Sequence, residues 1–126
     1  MTVSAGPTGS STTEKTLATI ERFNVAFNAH DVDAVMALMT DDVVFENTSP
    51  PPDGERHEGQ AAVRAFWETF FAGSPRAHFA AEDTFAAGDR CTVRWRYSWG
   101  DGSIRGVDVF RVRDGKVAEK LSYVKG

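Results

Sequence analysis

The sequence predicts an α+β domain in which three helices pack on one face of an antiparallel β-sheet. Three observations support this class. Apolar residues recur at helical spacing in the first half of the chain, and they alternate with polar residues in the second half. Strong turn signals, Asp101-Gly102 and Asp114-Gly115, separate the alternating segments. Helices followed by an antiparallel meander bury their apolar stripes by covering one face of the sheet.

The domain is expected to begin near Thr13. Residues 1–12 are rich in Ser, Thr, Gly and Pro, which predicts a disordered tail and leaves 13–126 as a single domain. The tail has no apolar stretch of the kind that a signal peptide requires. A Ser or Thr at 11–13 can cap the first helix. The apolar positions of this helix are Leu17, Ile20, Phe23, Val25 and Phe27.

Two more helices and a short strand follow. Asp31 is a candidate N-cap of the second helix. The inner face of that helix would carry Val35, Leu38 and Met39. A strand is expected at 43–47, and 48–59 is interpreted as a loop because it holds three prolines. The third helix is expected over 60–71. Its broad apolar stripe comprises Val63, Phe66, Trp67, Phe70 and Phe71.

Four further strands are predicted from a period of two. They lie near 76–86, 90–99, 104–112 and 116–124. The second is the clearest, because large apolar residues from Val93 to Trp99 alternate with polar ones. Asp101-Gly102 predicts a two-residue hairpin turn. The turn within 113–116 has either two residues or three, and in the second case Gly115 is the left-handed residue.

Asp108 is the most unusual residue of these strands, because Val107 and Val109 flank it. A two-residue turn at Asp101-Gly102 would place Asp108 opposite Trp95, on the face that the helices cover. Burial without a partner disfavours the charged form of a carboxyl group, and a carboxyl group against aromatic rings can act as an acid near neutral pH. Asp108 is therefore either a structural hydrogen-bond acceptor or a group that binds or transforms a ligand.

Three other residues are candidates for the same space. Gly106 shares a face with Asp108 and, without a side chain, would leave room for a cavity. Asn47 either caps the loop that follows it or points its carboxamide into the cavity. Tyr97 can offer a hydroxyl group. We expect Asp108, Asn47 and Tyr97 to be the catalytic residues if the site is catalytic.

The position of Lys120 depends on the last turn. With a three-residue turn Lys120 faces Asp108, whereas with a two-residue turn Leu121 faces it. The apolar pattern of Val117, Leu121 and Tyr123 favours the second arrangement. Lys120 is kept as a candidate pocket residue. The predicted apolar lining comprises Phe23, Phe27, Phe45, Trp67, Trp95, Ile104 and Phe110.

Composition and the remaining polar residues exclude several kinds of function. A formal net charge of −4 argues against nucleic-acid binding, and no apolar run approaches the length of a membrane span. Cys91 is the single cysteine, which fits a cytoplasmic protein. His30 and His78 are interpreted as cap and strand residues, while His57 is a candidate lid residue. Three scattered histidines make no metal site, so neither a metal nor another cofactor is expected.

Three segments carry a family resemblance: FNAHDVDAVMALMTDDVVFEN, EGQAAVRAFWETFF and VDVFRVRDGKVAEKLSYV. In order and spacing they resemble the SnoaL-like group of the nuclear-transport-factor-2-like superfamily, over about residues 14–124. The resemblance implies a cone-shaped fold in which three helices close over a strongly curved sheet and leave a deep apolar pocket. It also implies a homodimer through the outer sheet face, which would include Val107 and Val109.

The resemblance transfers only some site residues. Aligning VDVFRV places Asp108 at the oxyanion-hole Asp of ketosteroid isomerase, but the Tyr of that site falls on Phe23 and the base falls on Asn47. Limonene epoxide hydrolase has an Asn that matches Asn47, but its Tyr falls on Phe45 and its late Asp near Ser122. Polyketide cyclases use a single Asp, which a lone Asp108 resembles more closely.

The expected function is that of a cofactor-free isomerase, cyclase or lyase that acts on a small apolar carbonyl-bearing compound. In this hypothesis Asp108 moves a proton, Asn47 holds a substrate oxygen and Tyr97 assists. Two alternatives remain open. One is a homodimer that binds a hydrophobic ligand without transforming it, and the other is a structural or protein-interaction module.

Overall fold

The computed structural model describes residues 5–125, and its helices pack on a single six-stranded sheet. This arrangement confirms the predicted α+β class. The helices are α1 (Ala5–Asn28), α2 (Val32–Ala37) and α3 (Gln60–Gly73). The strands are β1 (Met39–Glu46), β2 (Arg56–Glu58), β3 (His78–Ala87), β4 (Arg90–Ser98), β5 (Ser103–Arg113) and β6 (Lys116–Val124). None of the helices within 5–125 combines the length and apolarity that a membrane span needs.

The sheet has the strand order β2-β1-β6-β5-β4-β3. All neighbours are antiparallel except β1 and β6, which run parallel. The expectation of an entirely antiparallel sheet is thus corrected at one pairing. The reason is topological: α3 carries the chain from one edge of the sheet to the other, and the meander from β3 to β6 then returns beside β1 in the direction of β1.

Helix α1 begins at Ala5, before the predicted start at Thr13. Residues 1–4 of the predicted tail lie outside the described residues. Ile20, Phe23 and Phe27 are buried against the sheet, but Val25 is 71% exposed. The expectation for Val25 is wrong because a residue two positions from Phe23 is rotated about 200° around the helix axis and faces solvent.

Helix α2 is shorter than predicted. The Asp31 carboxylate accepts a hydrogen bond from the Ala34 backbone N–H at 3.1 Å, which confirms Asp31 as the N-cap. The helix ends at Ala37, so Met39 belongs to β1 rather than to the helix. The predicted loop 48–59 also contains the short strand β2, which pairs with the end of β1.

The loop between β4 and β5 has a different turn from the predicted one. Ser98 pairs with Ser103, and the Trp99 N–H donates to the Gly102 carbonyl at 3.0 Å. The left-handed backbone falls on Gly100, with φ 105°, rather than on both Asp101 and Gly102 as a two-residue type I′ turn requires. The β4–β5 register therefore moves by two residues.

This change corrects the predicted partner of Asp108. Asp108 pairs with Val93, and Trp95 pairs with Gly106. A shift of two residues preserves the face of the sheet to which each side chain points. Asp108 accordingly remains on the covered face with Trp95, as the period of two predicted.

The turn between β5 and β6 has two residues, Asp114 and Gly115, both with positive φ. Val112 pairs with Val117, but Arg111 pairs with Glu119, so Ala118 is an extra residue that forms a β-bulge. The bulge reverses the faces of the rest of β6. As a result, the residue opposite Asp108 is Ser122, which corrects both predicted alternatives, Lys120 and Leu121.

Candidate functional site

A cavity of about 590 Å³ lies between the helices and the concave face of the sheet. Helices α1 and α3 supply one wall, strands β1, β3, β4, β5 and β6 supply the other, and the loop after β1 lies at the rim. The predicted site residues that line it are Phe23, Phe27, Phe45, Asn47, Trp67, Trp95, Tyr97, Ile104, Asp108 and Lys120. The structure therefore brings most of the candidate residues to one space.

Two predicted pocket residues, Gly106 and Phe110, do not line this cavity. A Cβ on Gly106 would lie 2.5 Å from the Trp95 indole and 2.2 Å from the Tyr123 carbonyl oxygen. The indole thus occupies the space that we expected Gly106 to leave open. Phe110 is buried in the core and meets Phe23 edge to face at 5.7 Å.

The floor of the cavity carries a buried carboxylate with two polar partners. Asp108 is 2% exposed, and its Oδ1 accepts a hydrogen bond from Ser122 Oγ at 2.7 Å. Lys120 Nζ lies 3.3 Å from Asp108 Oδ2 and donates to Ser122 Oγ at 2.9 Å. The three side chains meet because the bulge at Ala118 turns both Lys120 and Ser122 inward.

Aromatic rings surround the Lys120 ammonium. Its Nζ lies 4.8 Å from the ring centroid of Phe45 and 5.4 Å from that of Trp67. Phe110 and Phe27 are at 5.9 Å and 6.0 Å. The negative faces of aromatic rings attract a cation, and this attraction strengthens where water is excluded. The rings and Asp108 together hold a positive charge inside an apolar wall.

The ion pair changes the chemistry expected of Asp108. The prediction treated Asp108 as an isolated carboxyl group, which would favour the neutral acid. In the structure the Lys120 ammonium is its nearest counter-ion, so the pair has no net charge. A carboxylate with a balancing cation suits a proton acceptor. Removal of either partner would leave an uncompensated buried charge.

Asn47 closes the loop at the cavity rim. Its Oδ1 accepts hydrogen bonds from the backbone N–H groups of Glu55 at 2.7 Å and Ser49 at 3.4 Å. Gly54, with φ +72°, passes so close that a Cβ there would overlap the Asn47 carbonyl. The Oδ1 atom of Asn47 therefore caps the loop, which was one of the two roles predicted for this residue. The amide Nδ2 has no hydrogen-bond partner among the described residues, and it is the part of Asn47 left for a ligand.

Tyr97 lies farther from the ion pair. It is four residues along β4 from Val93, the partner of Asp108, which corresponds to about 13 Å of strand. Burial raises the pKa of the Tyr97 hydroxyl, and the nearby Ser74 partly offsets this rise. No hydrogen bond of ordinary geometry joins the Tyr97 hydroxyl to Ser74, and within residues 5–125 the buried hydroxyl has no partner. The phenol is therefore neutral near pH 7.

The histidines lie outside the cavity lining. His57, the candidate lid residue, belongs to β2, where its ring packs on Phe66 at 5.1 Å, and it does not line the cavity. His30 lies in the turn after α1, with φ 54°, and stacks on Phe71. His78 is exposed at the start of β3. Within 5–125 no three His, Cys, Asp or Glu side chains are grouped to hold a metal ion.

Several cavity residues were not predicted. Ser122 has no apolar-pattern signal, because its inward direction depends on the bulge at Ala118. Phe66 and Phe70 belong to the predicted apolar stripe of α3, and their helical spacing is the signal for a position in the cavity wall. Other unpredicted lining residues are Asn24, Thr48, Ser49, Pro50, Glu55, Thr69, Phe79 and Trp99.

Comparisons with known proteins agree with the fold and the cavity-forming segments. The family described as "SnoaL-like domain" matches residues 20–120. A nuclear-transport-factor-2-like protein of unknown function from Mesorhizobium loti is 46% identical, with a TM-score of 0.80. The match covers 90% of this chain and 93% of that protein. The common fold thus includes nearly all of both chains.

Two more distant structures share the fold. A candidate ketosteroid isomerase from Kribbella flavida is 23% identical, with a TM-score of 0.79 over 90% of this chain and 80% of its own. A candidate polyketide cyclase from Sinorhizobium meliloti is 20% identical, with a TM-score of 0.73 over 83% of this chain and 93% of its own. These likenesses confirm the predicted cone-shaped architecture and carry no information about activity.

Proposed function

The chain belongs to the SnoaL-like domain family, and from this premise we propose that its cavity binds a small apolar carbonyl compound. We propose further that a side chain of the cavity moves a proton of the bound compound. The reaction class is that of a cofactor-independent isomerase, cyclase or lyase. One observation carries the proposal: an Asp–Lys ion pair lies buried at the floor of a cavity whose walls are otherwise largely aromatic. Ionisable groups placed in such a cleft are candidates for catalysis.

The ion pair supports a functional role because two buried charges stabilise a core poorly. Taking two charges out of water costs several kcal/mol per ion, and their attraction repays this only with good geometry. Apolar side chains of similar volume would stabilise the fold at least as well. Fold stability therefore does not explain why Asp108 and Lys120 are charged, whereas action of their charges on a ligand in the cavity would explain it.

The roles follow from the atoms that remain available. Asp108 takes a proton from a carbon next to the carbonyl group and returns it to the same carbon or to a conjugated one, a contribution of about 10²–10⁴-fold in rate. Asn47 holds a substrate oxygen through its amide Nδ2, because its Oδ1 already closes the loop. Tyr97 assists as a neutral hydroxyl group, which requires its side chain to move toward the ligand because the hydroxyl is covered in this conformation.

The cavity supports a ligand that is mostly apolar with one polar end. A volume of about 590 Å³ is in the range of small-molecule sites, and the aromatic walls offer no strong hydrogen-bond acceptors. Besides Asp108 and Lys120, the described residues contribute one charged side chain to the lining, that of Glu55 at the rim. A compound with an apolar body and a carbonyl group directed at the floor matches this distribution.

Binding measurements test the ligand class. We expect Trp95 and Trp67 fluorescence to change on addition of small cyclic ketones, and to change less with hydrocarbons of the same shape. Stronger binding of the hydrocarbons would contradict the proposal. Asp114→Asn, which alters an exposed turn carboxylate, is the matched control for Asp108→Asn.

The alternative of a non-catalytic binding protein is favoured by the same aromatic walls, which suffice to hold an apolar metabolite. The two functions differ in what happens to the ligand. A binding protein would release the carbonyl compound unchanged, and Asp108→Asn would leave its affinity nearly intact. A proton-transfer enzyme would exchange hydrogens of the bound compound with solvent.

The outer sheet face is the proposed surface for a homodimer. One row of paired residues crosses four strands there: Phe85, Thr92, Val109 and Leu121. Arg and acidic side chains of opposite sign flank it, including Arg105 with Glu82 at 3.1 Å, so two copies related by a twofold axis can present complementary charges. Sedimentation should give a dimer that Val109→Glu converts to a monomer, while a monomeric wild type would contradict this dimer surface.

The proposed location of the protein is the cytoplasm, which suits the single buried thiol of Cys91.

A further inference from the structure

The Lys120 ammonium has one more hydrogen-bond donor than it has partners. An ammonium carries three N–H donors. Within the described residues Nζ has two polar partners, Ser122 Oγ at 2.9 Å and Asp108 Oδ2 at 3.3 Å. Lys120 also lines the cavity, although only 7% of its side chain is exposed. One donor of this buried cation is thus left for an acceptor in the cavity.

The aromatic rings hold the cation without using that donor on a polar atom. Phe45 and Trp67, at 4.8 Å and 5.4 Å from Nζ, both line the cavity. Their negative faces attract the ammonium, but a ring face is a much weaker hydrogen-bond acceptor than a carbonyl oxygen. A ligand oxygen beside these rings would therefore bind Nζ in preference to the rings.

Proton transfer to Asp108 would remove the counter-ion of Lys120. In the resting site the carboxylate and the ammonium balance each other. When Asp108 accepts a proton from a carbon next to a carbonyl group, the negative charge moves to the carbonyl oxygen. In a low-dielectric cavity an unbalanced ammonium is costly, and the new oxyanion is a suitable counter-ion for it.

From this geometry we propose that Lys120 binds the carbonyl oxygen of the substrate and stabilises the oxyanion that forms as Asp108 removes the neighbouring proton. The inference rests on the proposed function, because it uses the same cavity and the same base. Lys120 supplies a full positive charge, whereas the amide of Asn47 supplies only a neutral donor.

The step balances without a further reactant. The C–H bond breaks and its proton passes to a carboxylate oxygen of Asp108. The electron pair of that bond forms the carbon–carbon double bond, and the π pair of the carbonyl group moves to the oxygen held by Lys120. Return of the proton to the same carbon, or to the far carbon of a dienolate where a C=C bond of the substrate is conjugated with the enolate, restores both the carbonyl group and the Asp108–Lys120 ion pair.

The exchange of the Asp108 carboxylate for the substrate oxyanion as the counter-ion of Lys120 indicates the class of substrate. The resting floor of the cavity is neutral, so a substrate with a fixed charge would leave that charge unbalanced. The substrate is therefore an uncharged ketone or aldehyde that has an acidic hydrogen next to the carbonyl group. Its body is apolar and contacts the aromatic walls.

2-Naphthol is a suitable probe of this exchange. It has the apolar body and acidic O–H of an enol, and its ionised form absorbs and emits at longer wavelength than its neutral form. In the wild-type protein we expect bound naphthol to be partly ionised near pH 7, with its proton on Asp108 and its oxygen on Lys120. Because the proton stays in the complex, the ionised fraction should change little with pH.

Two variants separate the roles of the two residues. In Lys120→Met, which keeps the length of the side chain and removes the charge, the ionised fraction should fall at least about tenfold. In Asp108→Asn the ammonium remains, so naphtholate should still bind, but its proton passes to solvent and binding tightens as pH rises. Lys116→Met, which removes an exposed lysine of the same strand, should behave as wild type.

Each outcome decides one question. Equal ionised fractions in wild type and Lys120→Met, with naphthol bound to both, would overturn the role of Lys120 and leave the base role of Asp108 standing. Failure of every variant to bind naphthol or any small ketone would overturn the proposed function itself. If Lys120→Met does not fold, Asp108→Asn with Lys120→Met has no buried charge and is compared with Asp108→Asn alone. Naphtholate binding by both would contradict the inference.

Discussion

Lys120 Nζ lies 3.3 Å from Asp108 Oδ2, and the side chains are 7% and 3% exposed. This contact joins two adjacent strands at the floor of an aromatic cavity, and Ser122 bridges both charges. In the proposed function an isolated acid would act in its neutral form, whereas this pair would act as a carboxylate balanced by an ammonium. The stability and the chemistry of the protein are therefore linked through the same two residues.

Loss of one charge should cost more stability than loss of both. Lys120→Met leaves the Asp108 carboxylate without its counter-ion, and we expect the free energy of unfolding to fall by about 3–5 kcal/mol. Adding Asp108→Asn should recover part of that loss, because the double variant buries no charge. Urea unfolding of the wild type, both single variants and the double variant measures the coupling. Simple additivity of the two losses would contradict the ion pair.

The Asn47 oxygen should hold the rim loop in place. Asn47→Ala leaves the Glu55 and Ser49 N–H groups without their acceptor, which should cost about 1–3 kcal/mol of stability. Asn47→Asp keeps an acceptor oxygen and is the matched control. Amide hydrogen exchange reports the effect directly: the Glu55 N–H should exchange faster in the Ala variant than in the Asp variant. Equal exchange would show that the oxygen does not hold the loop.

Gly106 should tolerate no side chain. A Cβ there would lie 2.2 Å from the Tyr123 carbonyl oxygen and 2.5 Å from the Trp95 indole. Gly106→Ala must therefore displace both strands or the indole, and we expect a loss of about 1–3 kcal/mol with a changed Trp fluorescence spectrum. Gly73→Ala, where a Cβ meets nothing within 4 Å, should be close to neutral. Similar stability of the two variants would refute the close packing at Gly106.

The protein should lose stability in alkali through Cys91. Burial raises the pKa of its thiol from 9.0 to about 11. Between these values the folded protein keeps a proton that the unfolded chain releases, so the free energy of unfolding falls as pH rises. Two pKa units correspond to a loss of about 2–3 kcal/mol by pH 11. The free energy of unfolding of Cys91→Ala should decrease less than that of the wild type between pH 8 and pH 11. An identical decrease would show that the thiol does not cause the loss of stability.

The period of two placed Asp108 on the correct face even though the predicted register was wrong. The wrong turn at Asp101-Gly102 moved the β4–β5 pairing by two residues, and an even shift does not change the face of any side chain. The Asp31 cap and the aromatic walls follow from short-range patterns that the sequence displays, and loop closure by Asn47 was one of the two roles that its position allowed. The predicted Ser or Thr cap at 11–13 is wrong, because α1 already begins at Ala5. These are the features that local physics can predict.

The ion pair at the cavity floor needed information that no local pattern contains. Val117, Leu121 and Tyr123 suggested one inward face for β6, but the extra residue at Ala118 reverses it after Val117. The residue type of Ala118 gives no sign of a bulge, since a bulge is defined by how a strand pairs with its neighbour. For the same reason the parallel contact of β1 with β6 could not be read from either strand alone.

Exchange of hydrogen for deuterium in small ketones tests the central claim most directly. A ketone that changes the Trp fluorescence is incubated in D₂O with wild type, Asp108→Asn or the control Asp114→Asn, and proton NMR follows loss of the hydrogens next to the carbonyl group. We predict that wild type and Asp114→Asn accelerate the exchange, and that Asp108→Asn is about 10²–10⁴-fold slower. A bound ketone that exchanges no faster with wild type than in buffer, or equally fast with Asp108→Asn, would contradict the account.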